Sequence, residues 1–133
     1  MTKSYIFSPL ILFSLLLGIE KPFLIEVRPR LVDGAKVIVN VEVENSLKKP
    51  IEYLEGFISE FNGEQNLINE KKVILLHEYE PPLQSGFRAT KSLIYPLNKK
   101  KPHNYKFRVS KVKYMGDLRI YTWHKKVGLI RID

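Results

Sequence analysis

Three histidines, two pairs of alternate glutamates and a basic C-terminal third are the residues of this chain that could do chemistry. The histidines are His77, His103 and His124. No two of them stand two or four residues apart, so none forms the spaced pair with which a strand or helix holds a metal ion. His77 has Glu78 and Glu80 beside it, from which a histidine–carboxylate site could be built. The plainer reading of His77 is a strand end stopped by Pro81. Glu42/Glu44 and Glu78/Glu80 are carboxylate pairs at i and i+2. On a strand each pair points one way and could chelate calcium or share acid–base work. The plainer reading is again a solvated face that meets lysines on neighbouring strands. No glycine-rich phosphate loop occurs, and the serines lack a nucleophile-elbow context. The chain has no cysteine, which excludes a disulfide framework, a thiolate zinc site, a thiol nucleophile and a lipidated cysteine. The expectation is a protein that is not an enzyme, with no cofactor and no metal.

The basic residues are distributed unevenly. The chain carries 22 Lys+Arg against 14 Asp+Glu, a net charge of +8. Residues 96–133 hold eleven bases and two acids, a balance of +9, and residues 1–95 hold eleven bases and twelve acids, a balance of −1. An excess confined to one third of the chain points to an anionic partner. Within it, Lys106 and Arg108 alternate with Tyr105, Phe107 and Val109, while Arg119, Tyr121, Trp123 and Lys125 fall at one parity. A basic strand face interleaved with rings could hold a polyanion, the charges meeting phosphate or sulfate and the rings stacking on bases or sugars. The competing reading puts Tyr121 and Trp123 in the core and leaves the lysines as solvated edges that block edge-to-edge pairing. The residues assigned to polyanion binding are Lys99, Lys100, Lys101, Lys106, Arg108, Arg119, Lys125 and Lys126.

Elements must position these residues, and the first is an address. Tyr5 to Ile19 reads YIFSPLILFSLLLGI, preceded by Lys3 and followed by Glu20-Lys21. As a helix the run reaches about 22 Å, short of a ~30 Å hydrocarbon core, which suits a signal peptide better than a full span. No small-x-small cleavage triplet follows it, so an uncleaved signal anchor competes. Residues 1–22 are therefore read as signal peptide or signal anchor and 23–133 as one folded domain. The location that follows is exported, periplasmic or at the cell surface, with tethering by an uncleaved N-terminal helix.

After Pro22 the hydrophobic period becomes two. Val37, Val39, Val41 and Val43 share one strand face and Ile38, Asn40, Glu42 and Glu44 the other. Further strands are expected over Tyr53–Phe61, closed by the turn Asn62-Gly63, then Lys72–His77, Phe87–Tyr95 and Tyr105–Tyr114. In the last of these the parity flips between Val109 and Val112, which a one-residue bulge near Ser110 reconciles. Met115-Gly116-Asp117 makes a turn into a strand over Leu118–Trp123. Phe23–Arg30 supplies an opening strand and Val127–Ile132 a terminal one. Seven or eight short strands without a helix after residue 20 predict an all-β fold, an Ig-like or fibronectin-like antiparallel β-sandwich.

Part of this pattern resembles a known family. Asn45-Ser46 ends a valine-rich strand, Pro50-Ile51 opens the next, Phe57 and Phe61-Asn62-Gly63 close it, and Pro82-Leu83-Gln84-Ser85-Gly86 precedes another. Over about residues 37–95 these features resemble bacterial FxLYD-type domains. The Leu-Tyr-Asp element appears here as Glu60-Phe61-Asn62 and the Pro-Gly turn as Ser85-Gly86. The resemblance implies a small extracytoplasmic β-sandwich and no catalytic residue.

The reading that follows is a non-enzymatic, exported or membrane-anchored β-sandwich binding module, an accessory subunit of a cell-envelope assembly with a protein partner. The alternative is a polyanion-binding module that uses the basic C-terminal third on anionic lipid or glycan, with nucleic acid the less natural anion for an exported protein. The membrane is met through the N-terminal apolar segment. A contiguous positive patch favours the alternative and scattered lysines favour the first reading.

Overall fold

The computed structural model describes residues 21–133. The apolar run Tyr5–Ile19, and with it the expected signal or anchor, lies outside the described residues. Eight strands follow in chain order: β1 (Phe23–Val32), β2 (Lys36–Asn45), β3 (Ile51–Phe61), β4 (Leu67–Leu76), β5 (Arg88–Pro96), β6 (Asn104–Tyr114), β7 (Tyr121–His124) and β8 (Gly128–Arg131). They form two antiparallel sheets, one of three strands in the order β1-β2-β5 and one of five in the order β4-β3-β6-β7-β8. No helix among the described residues is long and apolar enough to cross a membrane.

The valine alternation places β2 at the centre of the smaller sheet. Val39, Val41 and Val43 are fully buried, with β1 on one side and β5 on the other. Opposite them stand Ile51, Leu54 and Ile58 of β3 and Phe107, Val109, Val112 and Tyr114 of β6, all in the same buried cluster. Each such side chain contributes roughly 1.5–3 kcal/mol by leaving water. The parity flip in β6 is a bulge at Ser110: Glu55 pairs with Lys111, whereas the next residue, Gly56, pairs with Val109. The extra residue turns Val112 and Tyr114 back inward after Phe107 and Val109.

Asn45 explains why β2 stops where it does. Its side-chain amide donates to the carbonyls of Lys49 (2.8 Å) and Leu83 (3.0 Å), and its Oδ1 accepts from the Leu47 amide (3.2 Å). One buried side chain thus satisfies backbone groups of the β2–β3 loop and of the β4–β5 connection, as buried polar groups require.

Two elements differ from the sequence expectation. Strand β4 begins at Leu67, five positions before the expected Lys72. It is an edge strand paired with β3, and its first half buries almost nothing. Backbone pairing and polar contacts such as Ser59 with Glu70 hold that half, so its residues need not alternate in hydrophobicity. The expected strand over Leu118–Trp123 is shorter at its start, because β7 begins at Tyr121. The Asp117 carboxylate accepts the Arg119 amide (2.9 Å), and Ile120 bonds to the last residues of the chain, its amide to Asp133 (3.2 Å) and its carbonyl to Ile132 (2.9 Å). Leu118 is therefore 88% exposed and faces no second apolar layer. Tyr121 and Trp123 pack against the core, Trp123 edge-on to Phe23 with centroids 6.4 Å apart.

Candidate binding face

The outer face of the five-stranded sheet is built from residues that alternate with the core. On β3 the outward positions are Tyr53, Glu55, Phe57, Ser59 and Phe61, and on β6 they include Lys106, Arg108 and Lys113. Antiparallel pairing sets Phe57 between Lys72 of β4 and Arg108 of β6, and Ser59 between Glu70 and Lys106. Side chains directly opposite on one face interact across the strands. The Arg108 guanidinium carbon lies 4.8 Å from the Phe57 ring centroid and Lys106 Nζ 5.2 Å from that of Phe61. Both are cation–π distances. Both cationic side chains remain exposed.

Acids neutralise this face only in part. Glu70 accepts from Ser59 (3.0 Å) and lies 3.5 Å from Arg108. Glu52 lies 3.7 Å from Lys113. Glu55 is buried beneath Tyr53, whose hydroxyl donates to it at 2.7 Å, and Ser110 donates to it at 3.2 Å. Burial, and then the Glu55 carboxylate, push the Tyr53 hydroxyl up to about 12. Five cations (Lys72, Lys106, Arg108, Lys111 and Lys113) thus meet three carboxylates, one of them buried. The outer face of the three-stranded sheet contrasts with it. There Arg28 pairs with Glu26 and Glu42, and Arg88 reaches Glu42 (3.6 Å) and Glu44 (3.1 Å). On that face Glu42 and Glu44 draw in Arg28 and Arg88, while Arg30 and Lys36 take part in no ion pair among the described residues.

The eight residues assigned from sequence fall into three groups. Lys106 and Arg108 stand on the sheet face. Lys99, Lys100 and Lys101 occupy the β5–β6 connection, which docks on the β3–β4 turn: Lys101 Nζ lies 2.6 Å from Glu64, and the Lys101 stem lies against Gly63. That turn follows Phe61 directly, so the loop lies at the Phe61 end of the same sheet, with the Lys101 ammonium taken up by Glu64. Arg119 lies elsewhere, beyond the end of β6 and near Asp117 and Tyr121. Lys125 and Lys126 sit in the β7–β8 turn, Lys125 on a cleft with Lys21, Phe23 and Trp123. The fold does not gather them into one patch. Trp123 packs against the core on Phe23, and the partly exposed remainder of its ring lines the cleft that Lys125 borders.

Sequence reading missed Tyr53, Phe57 and Phe61 as members of the basic face. Their spacing of four was the available signal, since residues four apart on a strand share a face. The histidines have local partners. His77 donates its amide to Glu80 (3.0 Å) and stacks on Tyr79. His124 Nδ1 accepts from the Lys126 and Val127 amides and closes the β7–β8 turn. His103 Nδ1 lies 2.8 Å from Glu60, both almost fully buried at the end of the sandwich. Among the described residues no three His, Asp or Glu side chains converge on a point where a metal ion could sit.

No protein-family profile matches the chain, and no curated protein matches it. Among solved structures, it is similar to the crystal structure of a Bordetella pertussis protein described as ApaA. The TM-score is 0.56 at 15% identity, over 84% of this chain and 93% of that one. At that identity the likeness concerns the fold alone. It extends the two-sheet arrangement to a second chain of comparable length.

Proposed function

We propose that this protein is a non-enzymatic binding module of the cell envelope. In this reading it is exported or tethered by its first 22 residues and presents the outer face of the five-stranded sheet to an anionic partner. The observation that carries the reading is the pairing of Lys106 and Arg108 with Phe61 and Phe57, with the Lys99–Lys101 loop docked on the turn that follows Phe61. Stacked cations are pre-ordered, so less side-chain entropy is lost when an anion binds them. The finer architecture we propose is fibronectin-like, with β1, β2 and β5 as one sheet and β3 and β6 central to the other, in line with the FxLYD-type resemblance over residues 37–95. The partner chemistry is a polymer or surface of spaced phosphates or sulfates, such as a cell-wall polymer or an anionic lipid headgroup.

The full chain should bind phosphatidylglycerol vesicles or polyglycerol phosphate. The double variant Lys106→Glu/Arg108→Glu should lose that binding, while Arg88→Glu on the opposite sheet retains it. Equal loss in the two variants would show net charge acting without a site. A reporter fused to residues 1–36 should cross a membrane or remain attached to one, and a fusion entirely soluble in the cytoplasm would remove the address from this account.

A further inference from the structure

We infer that the free edge of β6 is a docking site for an extended segment of a partner protein, one that alternates acidic with apolar residues and adds to the larger sheet as a strand. Strand β6 pairs with β3 along one edge, from Asn104 to Tyr114. On its other edge β7 meets it at a single position, Val112 with Tyr121. Among the described residues no strand pairs with residues 104–111 on that side. Backbone donors and acceptors that point that way are a template for a further strand. Strand β1 of the other sheet faces the same gap, and its core side shows what stays uncovered. Phe23, Val27 and Leu31 stand opposite Asn45, Val41 and Val37 of β2, hence on the core side. Coverage fades along this row. Phe23, under Trp123 of β7, is 5% exposed, Val27 is half-buried, and Leu31 is 57% exposed. At the Leu31 end a cleft of about 160 Å³ opens between Pro29 and Leu31 of β1 and Tyr105 of β6.

Alternation on β6 sets the chemistry of the incoming strand. Its inward positions here are Tyr105, Phe107 and Val109, and its outward ones Lys106 and Arg108. Inward side chains of an added strand lie over Leu31 and must be apolar. Outward ones stand beside the two cations, where acids attract and bases repel. Lys106 takes part in no ion pair among the described residues, and Arg108 has only Glu70, at 3.5 Å. The free edge of β1 is the poorer template, because Pro29 removes a backbone donor from it. The inference shares Lys106 and Arg108 with the anion-binding face, but it depends on the β6 backbone edge and on Leu31, so each reading can fail alone.

The test is amide hydrogen exchange of the full chain in non-ionic detergent, with and without the peptide acetyl-EVEVEVEVE-amide. Binding should saturate, and exchange within residues 104–110 should slow by about tenfold or more. The same peptide with N-methyl groups on its central Glu and on the Val after it can pair by neither edge and should not bind. Leu31→Asp should weaken the parent peptide about tenfold or more. It should leave the melting temperature and the binding of polyglycerol phosphate as they were, because Leu31 is exposed and lies off the outer face. Lys106→Glu/Arg108→Glu should reverse the preference toward acetyl-KVKVKVKVK-amide. Equal binding of the methylated peptide would reduce the effect to charge and overturn the proposal. So would protection at the β4 edge in place of β6, or no saturation up to about 1 mM. Slow exchange of residues 104–110 in the dilute chain without peptide would also overturn it. That result would show the edge filled by the chain itself, or by a second copy if the protection rises with concentration.

Discussion

The Phe107 ring fills the space that a side chain at Gly56 would need. A Cβ there would collide with that ring and with the carbonyl oxygen of Arg108. This close approach sets β3 against β6 just where Phe57 and Arg108 face each other on the other side of the sheet. Core packing and the stacked cation are therefore linked through two adjacent backbones.

Gly56→Ala should destabilise the domain by about 1–3 kcal/mol or more, since neither the ring nor the backbone can retreat without strain. Denaturant unfolding measures it. A variant as stable as the parent would mean that β3 and β6 are farther apart than described.

The two faces of β2 should respond in opposite ways. Val41 is fully buried, and Val41→Asp should cost several kcal/mol by placing an unpaired charge in the core. Glu42 is half-exposed with arginines within 4 Å on both sides, and Glu42→Ala should change stability by less than about 1 kcal/mol. Similar losses from the two substitutions would place the wrong face inward.

Trp123 anchors β7 on Phe23 of the opposite sheet. Trp123→Ala should cost about 2–4 kcal/mol, less than for a fully buried tryptophan because the ring is half-exposed. It should leave binding of phosphatidylglycerol vesicles intact once the variant is folded. Loss of binding with full stability would return Trp123 to the surface.

Alkaline pH should destabilise the fold through three of its tyrosines. Burial first, and for Tyr53 and Tyr95 a nearby glutamate as well, hold the hydroxyls of Tyr53, Tyr95 and Tyr114 at about 12 in the fold. In the unfolded chain they ionise near 10. A raised folded value contributes stability that is whole below the unfolded value and is lost as pH climbs through the folded one. Unfolding free energy should thus decline between about pH 10 and pH 12. Phenolate absorbance in the folded protein should show these three titrating last.

Sequence alternation revealed those elements whose two faces differ. The valines of β2 and the parity flip at Ser110 are examples, because inward and outward positions differ sharply in burial. The first half of β4 carried no such signal, since both of its faces stay largely exposed on an edge strand. Leu118 misled for a related reason: alternation continued past Asp117, but the carboxylate captured the Arg119 amide and postponed the strand to Tyr121. The basic third was visible as a charge count. Its division into a sheet face, a docked loop and two separate turns depended on contacts such as Lys101 with Glu64, which no local pattern encodes.

The account rests most directly on the salt dependence of binding to polyglycerol phosphate. If Lys106, Arg108 and the Lys99–Lys101 loop hold spaced phosphates, counterions leave on binding and affinity falls steeply. The account predicts at least about a tenfold loss between roughly 50 and 200 mM salt, with a shallower slope for Lys106→Ala/Arg108→Ala. An affinity that stays flat across that range, or a slope that the double variant leaves unchanged, would contradict it.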